Sequence, residues 1–225
     1  QIEDDNLTFD NNLYLNYREQ KKQIKVLMVG AINKYLNSVF ATDPIYKVDR
    51  NQSLTRELNK YDLIVINGFV TSASQNLALK SFVEEGGNIL IIPAEEGVQI
   101  DFSFLGCSQW SVINKESQQI SGIDFNHPLY KNVYSRIPKN PIEPGLKKFY
   151  QIGASGNSTV ILKSDDQQPI LIQKNLKAGQ IYQFALPISE KWSELPLVGY
   201  LFYPTISNMA LAGKRLKPLF GLLNP

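Results

Sequence analysis

One thiol, one imidazole and a pair of adjacent carboxylates are the side chains here whose chemistry suits a reaction. They are Cys107, His127 and Glu95-Glu96, with Asp101 a few residues further on. A cysteine becomes a nucleophile when a base takes its proton and a third group orients that base; no such third group accompanies Cys107 or His127. Cys107 stands in FLGCSQW, where apolar neighbours push a thiol above the ~8.5 of free cysteine and favour an inert, structural role. His127 precedes Pro128 in NHPLYKNVY, so it reads as the start of a turn into a short helix rather than as a general base. Glu95 and Glu96 can bring a carboxylate to a cleft, and Asp101 a second, but acid and base work on a glycoside depends on a separation that spacing does not set. A hydrolase built from Glu95, Glu96 and His127 is one alternative reading. With no further His, Asp or Glu beside the pair, a metal site is not expected. Gly153-Ala154-Ser155-Gly156 is one residue short of GxSxG and reads as a turn. Trp110, Trp192, Phe149, Tyr150, Tyr200 and Tyr203 can form a platform for a saccharide or pack a core. Core packing is expected, and saccharide binding is a further alternative.

The stretch that must position these groups is residues 61–93, YDLIVINGFVTSASQNLALKSFVEEGGNILII and the following proline. Residues 63–66 and 89–92 are unbroken apolar runs rich in β-branched side chains, the pattern of strands covered on both faces. Between them Ser72 or Ser74 can cap a helix carrying Leu77, Leu79, Phe82 and Val83, and Gly86-Gly87 ends it. Strand, helix and strand make a βαβ unit and predict a parallel sheet. Upstream, residues 24–29 predict a first core strand, 33–40 a helix with Tyr35, Leu36, Val39 and Phe40 inward, 46–48 a weak strand, and 53–58 a helix begun by Ser53 and facing inward through Leu54 and Leu58.

That order is the grammar of a doubly wound sheet. Beyond Pro93 the grammar changes. Residues 102–177 offer short β-rich runs at 111–114, 119–123, 148–152, 159–162 and 170–173, parted by turn signals, and predict antiparallel strands attached to the sheet. Residues 179–185 predict another core strand, and 200–211 a final helix in which Pro204 is acceptable only near the start. The fold class expected is α/β: a doubly wound, mainly parallel, flavodoxin-like sheet with an antiparallel β-rich insertion. Residues 21–225 form one domain, and 1–20 hold a strand-like remnant of a preceding one.

In an open parallel sheet, ligands bind beyond the carboxyl ends of the strands. The possible strand-end cleft is then Gly30, Asn67, Gly68, Phe69, Pro93, Ala94, Glu95 and Glu96. Gly30-Ala31-Ile32-Asn33 is not GxGxxG and no GxxxxGK[ST] occurs, so phosphate cradling is unsupported and no cofactor is expected. The 23 basic and 21 acidic residues leave a net charge of +2, which gives no bulk case for nucleic acid or anionic lipid. Cys107 is the single cysteine, so no internal disulfide forms and the redox compartment stays open. No stretch approaches the roughly 18 apolar residues of a membrane span, so the segment itself makes no membrane contact. The chain begins with Gln1 rather than Met, which suggests a piece of a longer protein.

The pattern YDLIVINGF, a helix, GGNILIIPAEEG, then HPLY and GQIYQFALP resembles the class I glutamine amidotransferase-like superfamily. More narrowly it resembles the domain of that fold in large BatA-like membrane proteins of Bacteroidetes, which carry an N-terminal double-transmembrane region. There the preceding part ends in strands similar to LTFDNNLYLNY, which accounts for residues 4–17. The resemblance implies a domain tethered to the inner membrane and held in the periplasm, with protein partners or a small ligand. Active members carry a cysteine on a GxCxG elbow directly after the strand that residues 89–92 resemble, activated by a His-x-Glu pair near the domain end. Here the elbow position reads Pro93-Ala94-Glu95-Glu96-Gly97, and the one histidine lies elsewhere. The expected function is that of a non-catalytic interaction or ligand-binding module.

Overall fold

A computed structural model describes residues 23–55, 57–97, 101–134, 136, 138–139, 141–154 and 156–212. The strand expected within residues 4–17 lies outside them. In chain order the principal elements are β1 (Ile24–Gly30), α1 (Lys34–Ala41), β2 (Tyr46–Asn51), β3 (Leu63–Asn67), α2 (Ala73–Glu84), β4 (Asn88–Ile92), β5 (Ile113–Asn114), β6 (Gln118–Ile123), β7 (Gly145–Leu146), β8 (Phe149–Tyr150), β9 (Ser158–Ser164), β10 (Pro169–Leu176), β11 (Gly179–Phe184) and α3 (Gly199–Leu211).

Nine of these strands form one mixed sheet in the order β2-β1-β3-β4-β11-β10-β9-β6-β7. The five from β2 to β11 run parallel, and from β11 to β7 each neighbour is antiparallel. Every residue of β3 and β4 is buried, as the unbroken apolar runs require. The β-rich section between β4 and β11 extends the sheet through β10, β9 and β6, and β5 with β8 forms a separate two-stranded ladder.

Local capping explains where the helices begin. Asn33 accepts from the backbone N–H groups of Tyr35 and Leu36, satisfying donors that the first turn of α1 leaves unpaired. Ser72, not Ser74, caps α2, in a reciprocal capping box with Gln75. At the other end of α2, Gly86 adopts φ 102° and Gly87 lies so close to the Phe82 ring that a Cβ there would stand 2.2 Å from it. Asn88 opens β4 by donating to the Met209 carbonyl of α3. Side chains alternate along a strand, so Leu90 and Ile92 share the α3 face and Ile89 and Ile91 face the other way.

Three local expectations are corrected. The helix expected over residues 53–58 is replaced by a single 3-10 turn, Leu58–Lys60; so short a segment makes too few hydrogen bonds to offset nucleation, while Leu58 reaches the core without it. Leu77 is not inward but 71% exposed, and only Leu79, Phe82 and Val83 of α2 are buried. Pro204 sits inside α3 as its sixth residue. The carbonyl that proline leaves without an N–H partner is that of Tyr200, and it accepts instead from the Tyr134 hydroxyl at 2.9 Å.

Candidate functional site

The carboxyl tips of β1, β3 and β4 are drawn together by backbone. Gly30 turns with φ 101°, and a Cβ on it would stand 2.2 Å from the Asn67 carbonyl oxygen and 3.0 Å from Phe69 Cβ. Such a turn at such a distance admits only glycine. The Ala31 N–H donates to the Asn67 carbonyl at 3.0 Å, and the Asn67 side-chain amide donates back to the Ala31 carbonyl at 2.8 Å. Gly68, also at positive φ, lies against Ala94 and donates to the Ile92 carbonyl at 3.0 Å. Gly30, Asn67, Gly68, Phe69 and Ala94 are thus brought into contact. Pro93 is buried, whereas Glu95 and Glu96 are exposed, and Glu95 lies 3.7 Å from Lys191.

A segment unremarked in the sequence closes over this end. Asn33 donates to the Ile188 carbonyl at 2.7 Å, and Glu190 receives Lys34 at 3.1 Å and the Tyr35 hydroxyl. Trp192 packs 5.0 Å from the Tyr150 ring, with Lys148 4.4 Å above its own ring. Trp192 and Trp110 are both buried, as are Phe149 and Tyr150, so these aromatics pack the core and the tryptophans present no exposed platform. Two large apolar side chains on the loops after β1 and β3 remain open: Ile32 is 88% exposed and Val70 68%.

Thiol and imidazole are separated by the sheet. Cys107 lines a cavity with Ile172 and Lys174 of β10, whereas the His127 imidazole donates a hydrogen bond to the neighbouring Gln173. Alternation places Gln173 on the opposite face of β10 from its two neighbours, so no dyad forms. His127 is buried, its Nδ1 accepts from the Leu129 N–H at 3.3 Å, and burial holds its pKa below the usual value. That is the turn-starting role expected of it. Burial pushes the Cys107 thiol up to about 12, leaving almost no thiolate at neutral pH. The Asp101 carboxylate binds the Ser103 N–H at 2.7 Å and its hydroxyl at 3.0 Å, which hold it below the usual carboxylate range. Among the described residues no three His, Cys, Asp or Glu side chains group as a metal ion would require, and no helix is long and apolar enough to cross a membrane.

The cavity that Cys107 lines holds about 250 Å³ over the β10–β11 hairpin. Ile172 and Ile181 contribute apolar surface, and Gly106, Ser108, Gly153 and Ala154 form its rim, with Ser158 of β9 beside them. Buried Gln183 fixes the rim by clasping Ser108 through both amide atoms, accepting from its N–H at 3.1 Å and donating to its carbonyl at 2.6 Å. The Ser108 hydroxyl in turn accepts from the Gly153 N–H at 2.7 Å. Lys174 crosses the rim to donate to the Gly106 carbonyl at 2.8 Å. Sequence reasoning missed Lys174 and Gln183. The available signal was a polar residue inside an apolar strand run, Gln183 between Tyr182 and Phe184.

No protein-family model matches the sequence, and no curated protein matches it. Among solved structures the chain is similar to a cytoplasmic protein of Salmonella typhimurium, with a TM-score of 0.66 at 13% identity over 85% of this chain and 100% of that one. A second cytoplasmic protein of the same organism follows, with a TM-score of 0.60 at 16% identity over 85% and 100%. A β-galactosidase from Bacillus circulans aligns with a TM-score of 0.57 at 12% identity over 84% of this chain but 31% of the enzyme. At such identities the likeness is one of fold.

Proposed function

We propose that the chain is an amidotransferase-like α/β domain without the catalytic elbow, serving as an interaction or ligand-binding module of a larger BatA-like, membrane-anchored protein of Bacteroidetes type, with this domain in the periplasm. The parallel strands β2-β1-β3-β4-β11 have the 2-1-3-4-5 order of flavodoxin-like doubly wound sheets, which supports the finer fold assignment.

One observation carries the functional reading: the tip of β4 bears Pro93-Ala94-Glu95 where an acyl-transfer enzyme of this fold needs a nucleophile. The thiol and the imidazole stand elsewhere, on opposite faces of β10. Exposed Ile32 and Val70 at the strand-end loops favour a surface that meets another molecule. The protein incubated with glutamine, simple amides and esters is expected to show no turnover that depends on Cys107. Turnover lost in Cys107→Ala, with folding intact, would overturn the proposal.

A hydrolytic alternative through Glu95, Glu96 and His127 has less support. The His127 Nδ1 is occupied by a backbone donor in a buried site, while Glu95 faces Lys191 at the surface.

A further inference from the structure

The cavity over β10 and β11 shares no lining residue with the strand tips, and its lining has a definite chemical character. Lys174 is the one charged residue among its ten lining residues, and among the described residues its ammonium pairs with no carboxylate. One of its three N–H donors is spent on the Gly106 carbonyl, which orients the group across the rim and leaves two donors for a ligand. Gly106 makes that position possible, since a Cβ there would stand 2.4 Å from Nζ. Ile172 and Ile181 supply apolar surface beside the cation, and Gln183, committed to Ser108, holds the opposite rim. Ligand cavities commonly run from roughly 300 to 1,000 Å³, so a volume of about 250 Å³ suits a small molecule. A lone cation suits a single negative charge, because a doubly charged phosphate left with one ammonium would be under-neutralised.

We infer that this cleft binds a small organic monocarboxylate, its carboxylate on Lys174 and its apolar body against Ile172 and Ile181. The Cys107 side chain beside them contributes surface and no chemistry. The site shares no residue with the strand-end surface, so its test stands or falls separately from the proposed function.

Because Cys107 is the chain's single thiol, its alkylation reports on occupancy. Iodoacetamide labelling of the full chain in mildly alkaline buffer is followed with isovalerate or benzoate, their amides isovaleramide and benzamide, or inorganic phosphate, each up to about 10 mM. At least one carboxylate is expected to slow labelling severalfold and saturably, while its amide and phosphate act at least about tenfold more weakly. In the same titration, backbone amide NMR shifts should move at Gly106, Cys107, Ser108 and Gly153. Lys174→Met should weaken the carboxylate effect about tenfold and Lys174→Arg retain it. The inference is overturned if neither carboxylate protects, if amide or phosphate protects equally, or if Lys174→Met protects as well as the parent. Should Lys174→Met fail to fold, the comparison of carboxylate with amide on the unaltered chain decides alone.

Discussion

The strand tips and the β10–β11 cleft lie in one sheet but are held in opposite ways. At the tips, backbone meets backbone: Gly30 on the Asn67 carbonyl, Gly68 on Ala94, with amide hydrogen bonds joining all three turns. At the cleft, side chains span the gap, Gln183 to Ser108 and Lys174 to Gly106. A backbone contact has no slack, whereas a long side chain can move aside and leave a volume behind. The difference teaches why space for a ligand is found over the antiparallel strands.

Glycine substitution breaks this comparison most sharply. Gly30→Ala puts a Cβ against a carbonyl oxygen at a φ that side chains rarely adopt, and about 3–5 kcal/mol of stability should be lost in urea unfolding. Gly106→Ala meets only the movable end of Lys174, so its cost should stay at about 1–2 kcal/mol, mostly from the left-handed backbone. Equal losses at the two positions would erase the distinction.

Next in size is Gln183→Leu, which leaves the Ser108 N–H and carbonyl without their partner. It should cost about 1–3 kcal/mol by the same measurement and loosen the cleft rim, seen as faster amide exchange at Ser108. The thiol sharpens the picture further. Burial raises its pKa to about 12 from the ~8.5 of an unfolded chain. The unfolded state therefore releases its proton first as pH rises. The contribution of Cys107 to stability is complete below about 8.5 and is lost progressively towards 12. Cys107→Ala should show a shallower fall in unfolding midpoint across that range than the parent chain. His127 gives the opposite sign. Its pKa is lowered by burial, so its contribution is present above the ordinary histidine value and fades as pH falls below it. His127→Gln should blunt that acid sensitivity. The smallest effect belongs to the tip's exposed ion pair: Lys191→Ala should change stability by no more than about 0.5 kcal/mol, checked by thermal unfolding.

Much of the parallel half was legible in the sequence because each element is locally declared. The runs at residues 63–66 and 89–92 became fully buried strands, and Ser72 and Gly86 bounded the helix between them. The expected 53–58 helix failed where the signal was two leucines in a polar segment, and burial of Leu58 needed no helix. At the strand end, residue types were readable but their contacts were not. Nothing local says that Gly30 touches the Asn67 carbonyl, or that the segment holding Glu190 and Trp192 packs over α1 and Tyr150.

By itself the amino-acid order determined an α/β chain, the tracts that become buried strands, and the lack of a thiol or imidazole at the tip of β4. Those follow from side-chain type and short-range periodicity. Tertiary structure alone decided which face of β10 receives Cys107 and which receives His127, and that Lys174, Gln183 and the 106–108 loop enclose a cavity. Such outcomes depend on register and on contacts between residues some 70 positions apart, and no local pattern encodes a separation of that length.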